Sequence, residues 1–200
     1  MWYHSSRLAE QLLDTTDAGA EDAFTRALAD GEPSALRVAF RQHHEVVRAF
    51  ARRLLGSDAD AEELVQDTFL ALPVALRRFR GDCSLRTFIL SIAAQRSRNA
   101  LRSRRRRTQA MKRLEFQPPP PLEPLPDDTL AQRHLAERLQ RALECLSHDQ
   151  RLAFVLTEIE ERSSHEVSRI LGAPASTLRA RVSAAKEKLR RELAREEERS

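Results

Sequence analysis

Cysteine, glycine and aromatic residues are all scarce in this chain. Its two cysteines, Cys83 and Cys145, stand far apart, and neither belongs to a CxxC or Cys/His cluster with zinc-ligand spacing. A disulfide scaffold and a zinc module are therefore not expected, and a reduced, cytosolic setting fits best. Five glycines in 200 residues leave no Gly-rich loop to cradle a phosphate. No run approaches the roughly 20 apolar residues that span a bilayer. The start MWYHSSRLAE also lacks the charged-then-apolar order of a signal peptide. The expectation is a cytoplasmic protein without membrane insertion. No Ser/His/Asp set or metal-ligand spacing occurs, and the six histidines are scattered, with His43, His44 and His148 read as surface residues. Neither an enzyme nor a bound cofactor is expected.

Alternating apolar runs long enough for a convincing strand are missing too, while Ala, Leu, Arg and Glu abound, so the fold class reads as all-α. The clearest break is Gln117 to Asp128, where six prolines remove amide donors and push the preceding residues out of the helical region. It reads either as a polyproline spacer, holding two small helical domains on the order of 30 Å apart, or as a disordered loop. Before it, helices are predicted at 21–30, 34–55, 60–72 and 84–106, separated by Gly31-Glu-Pro33, Gly56-Ser57-Asp58 and Gly81-Asp82.

After the break, 130–146 reads as one helix. Ser147-His-Asp-Gln150 then opens another with the S-x-x-Q pattern, and Ser163-Ser-His-Glu166 repeats the device as S-x-x-E. The second capped helix spans about two turns and stops at Gly172. Beyond Pro174 a long helix buries Leu178, Val182, Ala185, Leu189 and Leu193 on one stripe. A short capped helix, a tight turn and a long basic helix form a helix-turn-helix, whose second helix would present Ser176, Thr177 and Arg179 to base edges. The same arginines could instead form a solvated helix face.

Charge is blocked rather than mixed. The 34 Lys and Arg against 30 Asp and Glu leave a net charge of only +4, yet Arg96 to Arg113 holds nine basic residues and no acidic one. Such a run neutralises phosphate and releases counterions, without sequence preference. Asp58 to Asp67 holds five acidic residues and no basic one. On the 60–72 helix Leu64, Val65, Thr68, Phe69 and Leu72 face inward while Asp60, Glu63 and Asp67 form an outer stripe, which suits a basic protein partner rather than DNA. Between the blocks, Phe79-Arg-Gly-Asp-Cys-Ser-Leu-Arg-Thr-Phe88 sets aromatic and cationic residues around a turn. That arrangement suits clamping unpaired bases, although Phe79 and Phe88 would serve equally as core.

Together these segments, from Glu21 to Leu193, resemble the extracytoplasmic-function sigma factors of the sigma-70 family. The resemblance implies an N-terminal extension (1–20), sigma region 2 (21–113), the Pro-rich linker (114–129) and sigma region 4 (130–195). It implies an alternative sigma factor that binds core RNA polymerase, at the largest-subunit clamp helices and the flap, and directs transcription from promoter DNA. An anti-sigma factor is a further implied partner. Leu54 to Leu70 is similar to the polymerase-binding helix, which assigns Asp60, Glu63, Leu64, Gln66, Asp67 and Phe69 to that contact. Phe79 to Ala93 with its Arg-rich continuation is similar to the minus-ten segment. It assigns Phe79, Arg80, Ser84, Arg86, Thr87, Phe88, Gln95, Arg98, Asn99 and Arg102 to that element. Ser163 to Leu189 is similar to the minus-thirty-five reader, with Ser176, Thr177, Arg179, Ala180, Arg181, Ser183, Ala184 and Lys186. Ala180 and Ala184 stand where members often carry serine and arginine, and Pro73 stands where tryptophan is common and should end or kink its helix. The rival readings are a helix-turn-helix regulator that binds duplex DNA without polymerase, and an RNA-binding protein.

Overall fold

The computed structural model describes residues 18–111 and 138–197, so residues 1–17 of the predicted extension and the Pro-rich segment 114–129 lie outside the described residues. Every regular element among them is helical. In chain order these are α1 (Ala18–Ala29), α2 (Pro33–Leu55), α3 (Asp58–Leu76), α4 (Leu85–Met111), α5 (138–144), α6 (His148–Phe154), a π-helical turn (Val155–Ile159), α7 (Ser164–Leu171) and α8 (Ala175–Glu197).

The ends of these helices follow from local chemistry. Pro33 opens α2, where its missing N–H costs nothing, and Gly56 closes it in the left-handed conformation (φ 70°) while donating its N–H to the Arg52 carbonyl. Ser57 caps α3 by accepting the Asp60 amide at 3.3 Å, and Asp58 and Asp60 sit in the first turn where carboxylates complement the helix dipole. The two S-x-x-[EQ] signals are complete capping boxes, Ser147 with Gln150 and Ser163 with Glu166. Gly172 closes α7 at φ 61°, as its place in the sequence predicts.

Pro73 does not end α3. The helix runs on to Leu76, and Leu72 and Leu76 are both buried, so the last turn stays anchored to the core. Proline has no N–H to donate to the Phe69 carbonyl, and the burial of these two leucines offsets the lost bond. The C-terminal half holds a second departure. Past Phe154 the chain widens into the π turn, with the Glu160 amide reaching back to the Val155 carbonyl at 2.9 Å and the Arg162 amide to the Leu156 carbonyl at 3.0 Å. Glu161 leaves that turn at φ 53°, a left-handed conformation disfavoured for a residue with a Cβ.

Helices α1 to α4 pack around Leu28, Val47, Phe50, Leu54, Leu64, Leu72, Ile89 and Leu90, all essentially inaccessible to water. The expected separation of the two halves is not found. Leu152, Val155, Leu156, Val167, Ile170 and Leu178 join the same contiguous apolar cluster, because α2 packs on α6 and the π turn while α4 packs on α7. A polyproline tether limits reach, not whether the surfaces at its ends adhere, and here both halves carry apolar surface that only the other can cover. A smaller cluster of Ala142, Leu143, Leu146, Ala185 and Leu189 joins α5 to α8.

Candidate functional site

Three surfaces carry the residues singled out in the sequence. On α3, two of the acidic residues are tied to α2, with Arg52 on Asp58 at 2.7 Å and Arg48 on Glu62 at 2.5 Å. These pairs fix the rotation of α3 about its axis. Glu63, Gln66 and Asp67 then point to solvent, and Asp60 is half-buried beside them. Asp67 lies 4.0 Å from Arg96 of α4. Leu64 and Phe69, assigned to the partner contact in the sequence, are instead part of the core at 1% and 9% exposure. They share the buried side of α3 with Val65, Thr68 and Leu72, so they hold the helix rather than present a face. Thr68 turns its hydroxyl onto the Leu64 carbonyl at 2.6 Å and so buries no unpaired donor.

Beside the acidic stripe, Leu70 and Val74 are large apolar side chains left exposed, at 78% and 67%. They line a groove of about 460 Å³ with Ala71, Ala75, Arg78, Ile92, Gln95 and Arg96. Sequence reading missed this groove, although Leu70 and Val74 lie four residues apart on the side of α3 away from its core stripe. Pro73 continues the helix just far enough to place Val74 there.

The second surface is α4 and the turn before it. Ser84 accepts the Thr87 amide at 3.2 Å and lies 3.0 Å from the Thr87 hydroxyl, so it caps α4. Thr87, assigned to the minus-ten contact in the sequence, is buried at 2%, where it supports the cap. Phe79 and Phe88 pack on each other with ring centroids 4.7 Å apart and are half-buried against the core. Arg80 is exposed, while Arg86 turns back toward Glu160. Gln95, Arg98, Asn99 and Arg102 all lie exposed at i, i+3, i+4, i+7, a single face of α4.

The third surface is α8. Ser176, Arg179, Ala180 and Ser183 are exposed, and Thr177 and Ala184 half-exposed, along its outer side. Arg181 and Lys186 are instead held by carboxylates of the same half, Asp149 at 2.9 Å and Glu158 at 2.6 Å. Ion pairs thus grip α8 on both flanks of its buried stripe, while Ser176, Arg179, Ala180 and Ser183 lie along its outer side.

Between the surfaces runs a polar seam that no sequence motif announced. Arg151, only 9% exposed, donates to the Leu54 carbonyl at 3.0 Å. His148, read as a surface residue, sits half-buried with Nε2 3.1 Å from the Ser97 hydroxyl. His43 is also half-buried, and desolvation, with the Arg86 charge adding to it, lowers its pKa. Burial likewise raises the Cys83 and Cys145 thiols, which keeps both as weakly nucleophilic thiols rather than thiolates.

Among the described residues there is no cluster of metal-ligating side chains and no helix long and apolar enough to cross a membrane. The profile of sigma-70 region 2 matches residues 39–107, and that of sigma-70 region 4 matches residues 136–189. RNA polymerase sigma factor CarQ of Myxococcus xanthus is 31% identical over 161 residues, covering 80% of this chain and 90% of that protein. The ECF RNA polymerase sigma-E factor of Escherichia coli K12 is 26% identical over 187 residues, covering 90% and 94%. Among solved structures, the sigma factor RpoE in complex with the anti-sigma factor NepR, from Bartonella quintana, superposes with a TM-score of 0.64 at 26% identity, covering 79% of this chain and 96% of that one. CnrH in complex with the cytosolic domain of CnrY superposes with a TM-score of 0.59 at 25% identity, covering 86% and 96%. Two family regions in the expected order, on the helical scaffold of sigma factors and with relatives matched nearly end to end, establish that the chain belongs to the sigma-70 family, as an alternative sigma factor of the extracytoplasmic-function group that directs transcription.

Proposed function

We propose that the three surfaces divide the work of this sigma factor. The acidic stripe of α3, with Asp60, Glu63, Gln66 and Asp67 and the apolar groove at Leu70 and Val74 beside it, docks on the clamp helices of core RNA polymerase. The exposed face of α4, with Gln95, Arg98, Asn99 and Arg102, and Arg80 and Arg86 in the turn region, meets the minus-ten element. The outer side of α8, with Ser176, Thr177, Arg179 and Ser183, meets the minus-thirty-five element, while the shorter Ala180 and Ala184 offer that element only apolar contact. Such a protein works in the cytoplasm, without catalysis of its own, and an anti-sigma partner is expected because the solved relative RpoE is held by the anti-sigma factor NepR in its structure.

The observation that carries this reading is the juxtaposition on α3 of exposed carboxylates and exposed large apolar side chains. DNA would be repelled by the first and gain nothing from the second, whereas a basic, partly apolar helix pair is complementary to both. Asp67 is the position to perturb, since it is exposed and its reversal leaves the core untouched. Asp67→Arg should abolish specific transcripts in run-off transcription with purified core polymerase, while leaving polymerase-independent binding to duplex DNA intact. Wild-type transcript levels from that variant would refute the docking assignment.

A further inference from the structure

The outer stripe of α3 changes character along its length in a fixed order. Glu63 and Asp67 lie at one end, Leu70 and Val74 in the middle, and Arg77 and Arg78 at the turn that closes the helix, all of them exposed. At 100° per residue the first four fall within about 60° of one another. Arg78 comes onto the same side, since it lines the groove with Leu70 and Val74. Acid, apolar, base is an order that a second copy of the same stripe can match.

We infer that this stripe is a self-association surface, on which a second copy of the chain docks with its α3 antiparallel to the first. A two-fold interface requires a patch that is complementary to itself. A parallel pair would set carboxylate against carboxylate and arginine against arginine, whereas an antiparallel pair sets each acidic end against a basic one. With the two-fold axis level with position 72, Leu70 and Val74 stand two residues, about 3 Å, on either side of it. Leu70 of one copy then meets Val74 of the other. Asp67 stands five residues before that level and Arg78 six after, about 8–9 Å each, and both project to the same side of the stripe. They form the matching pair, repeated at both ends of the interface. Arg96 does not use up Asp67, because it lies 4.0 Å away with both groups about half-exposed, and a carboxylate can accept a second guanidinium. The apolar part of the interface is small, so the dimer belongs to the weak, transient class, with a dissociation constant of about 10–100 µM. Its formation covers the face assigned above to core polymerase, so self-association holds the protein off polymerase until dilution or polymerase itself separates the copies. That consequence rests on the docking proposed above; the self-association does not.

Sedimentation equilibrium of the full chain without polymerase, from about 2 to 500 µM, tests the surface. Wild type should pass reversibly from monomer to dimer across that range. Asp67→Arg and Arg78→Glu should each weaken the dimer about tenfold, because two equivalent ion pairs become like-charge contacts. An equimolar mixture of the two variants should regain wild-type association, since both ends of the mixed dimer again set an arginine against a carboxylate. Both substituted positions are exposed, and circular dichroism checks that the helices are intact. A wild type that stays monomeric throughout would overturn the inference and leave the face to polymerase alone. So would a mixture that associates no better than its components, the result expected if copies adhere through some other surface. Failure of the docking assignment shows separately, as wild-type transcript levels from Asp67→Arg, and does not alter the sedimentation result.

Discussion

The α7 helix offers the sharpest test of how local chemistry builds the C-terminal half. It has only eight residues, Ser164–Leu171, far below the length at which an isolated helix holds together in water. Its stability therefore depends on packing and on its caps. At the N-terminus the Ser163 hydroxyl accepts the Glu166 amide at 3.2 Å and donates to Glu166 Oε2 at 2.7 Å, while Oε2 also accepts the Ser163 amide at 3.0 Å. Ser163→Ala removes the hydroxyl from two of these three contacts and should cost about 1 kcal/mol. For a chain of this size that lowers the melting temperature by about 2–4 °C. The same substitution carries a signature in pH. The Ser163 hydroxyl is the largest influence holding the Glu166 carboxyl below its ordinary pKa of 4.5. A depressed carboxyl contributes stability that is present above the unfolded value and lost as pH falls through the folded one. The melting gap between wild type and Ser163→Ala should thus be full at pH 7 and narrow below pH 4. Ser164→Ala is the control, since Ser164 is exposed at the first helical position. Thermal denaturation followed by circular dichroism decides the matter: if Ser163→Ala melts within a degree of Ser164→Ala at pH 7, or the gap does not narrow in acid, the capping account is refuted.

Three further outcomes are expected. Phe50→Ala empties a fully buried position in the C-terminal third of α2 and should cost about 3–5 kcal/mol, measured by urea denaturation; a loss under 1 kcal/mol would mean that the core collapses around the gap. Gly56→Ala forces a side chain onto a left-handed residue, with a Cβ 3.1 Å from Gln140 Nε2, and should destabilise by about 1–2 kcal/mol in the same assay. Glu161→Gly relieves the left-handed strain after the π turn and should raise stability by about 0.5–1 kcal/mol; a decrease would show that the Glu161 side chain makes a compensating contact.

Local signals read well from the sequence and distant ones did not. Both capping boxes, the Gly56 and Gly172 stops and the inward stripe of α3 each depend on residues within one or two turns, so spacing alone reveals them. The resemblance to sigma factors rested on the same local segments and led to the correct family. Of the two outcomes expected at Pro73, an end is not found, because buried Leu72 and Leu76 hold the last turn on the core. The expected spacing of the halves failed for a different reason. Leu54, Leu156 and Val155 each look like ordinary core residues of their own half, and nothing in the sequence says that they complete one cluster. Glu160 and Asp149 were invisible as seam residues because their arginine partners lie as far as 107 positions away. Leu64, Phe69 and Thr87 show the limit of carrying roles along a motif, since a motif keeps core residues and contact residues alike.

The bond from Arg151 to the Leu54 carbonyl joins positions 97 residues apart, and this separation has a consequence during synthesis. Contacts of such span close late, because the intervening chain must exist before its ends can meet. At about 5–20 residues per second, roughly 5–20 s pass between the appearance of Leu54 and that of Arg151. Arg53, Arg86 and Arg98 are each made well before the C-terminal carboxylate that later pairs with them, Glu160 for the first two and Asp149 for the third. Those side chains thus take up their final partners only once the C-terminal half has been made.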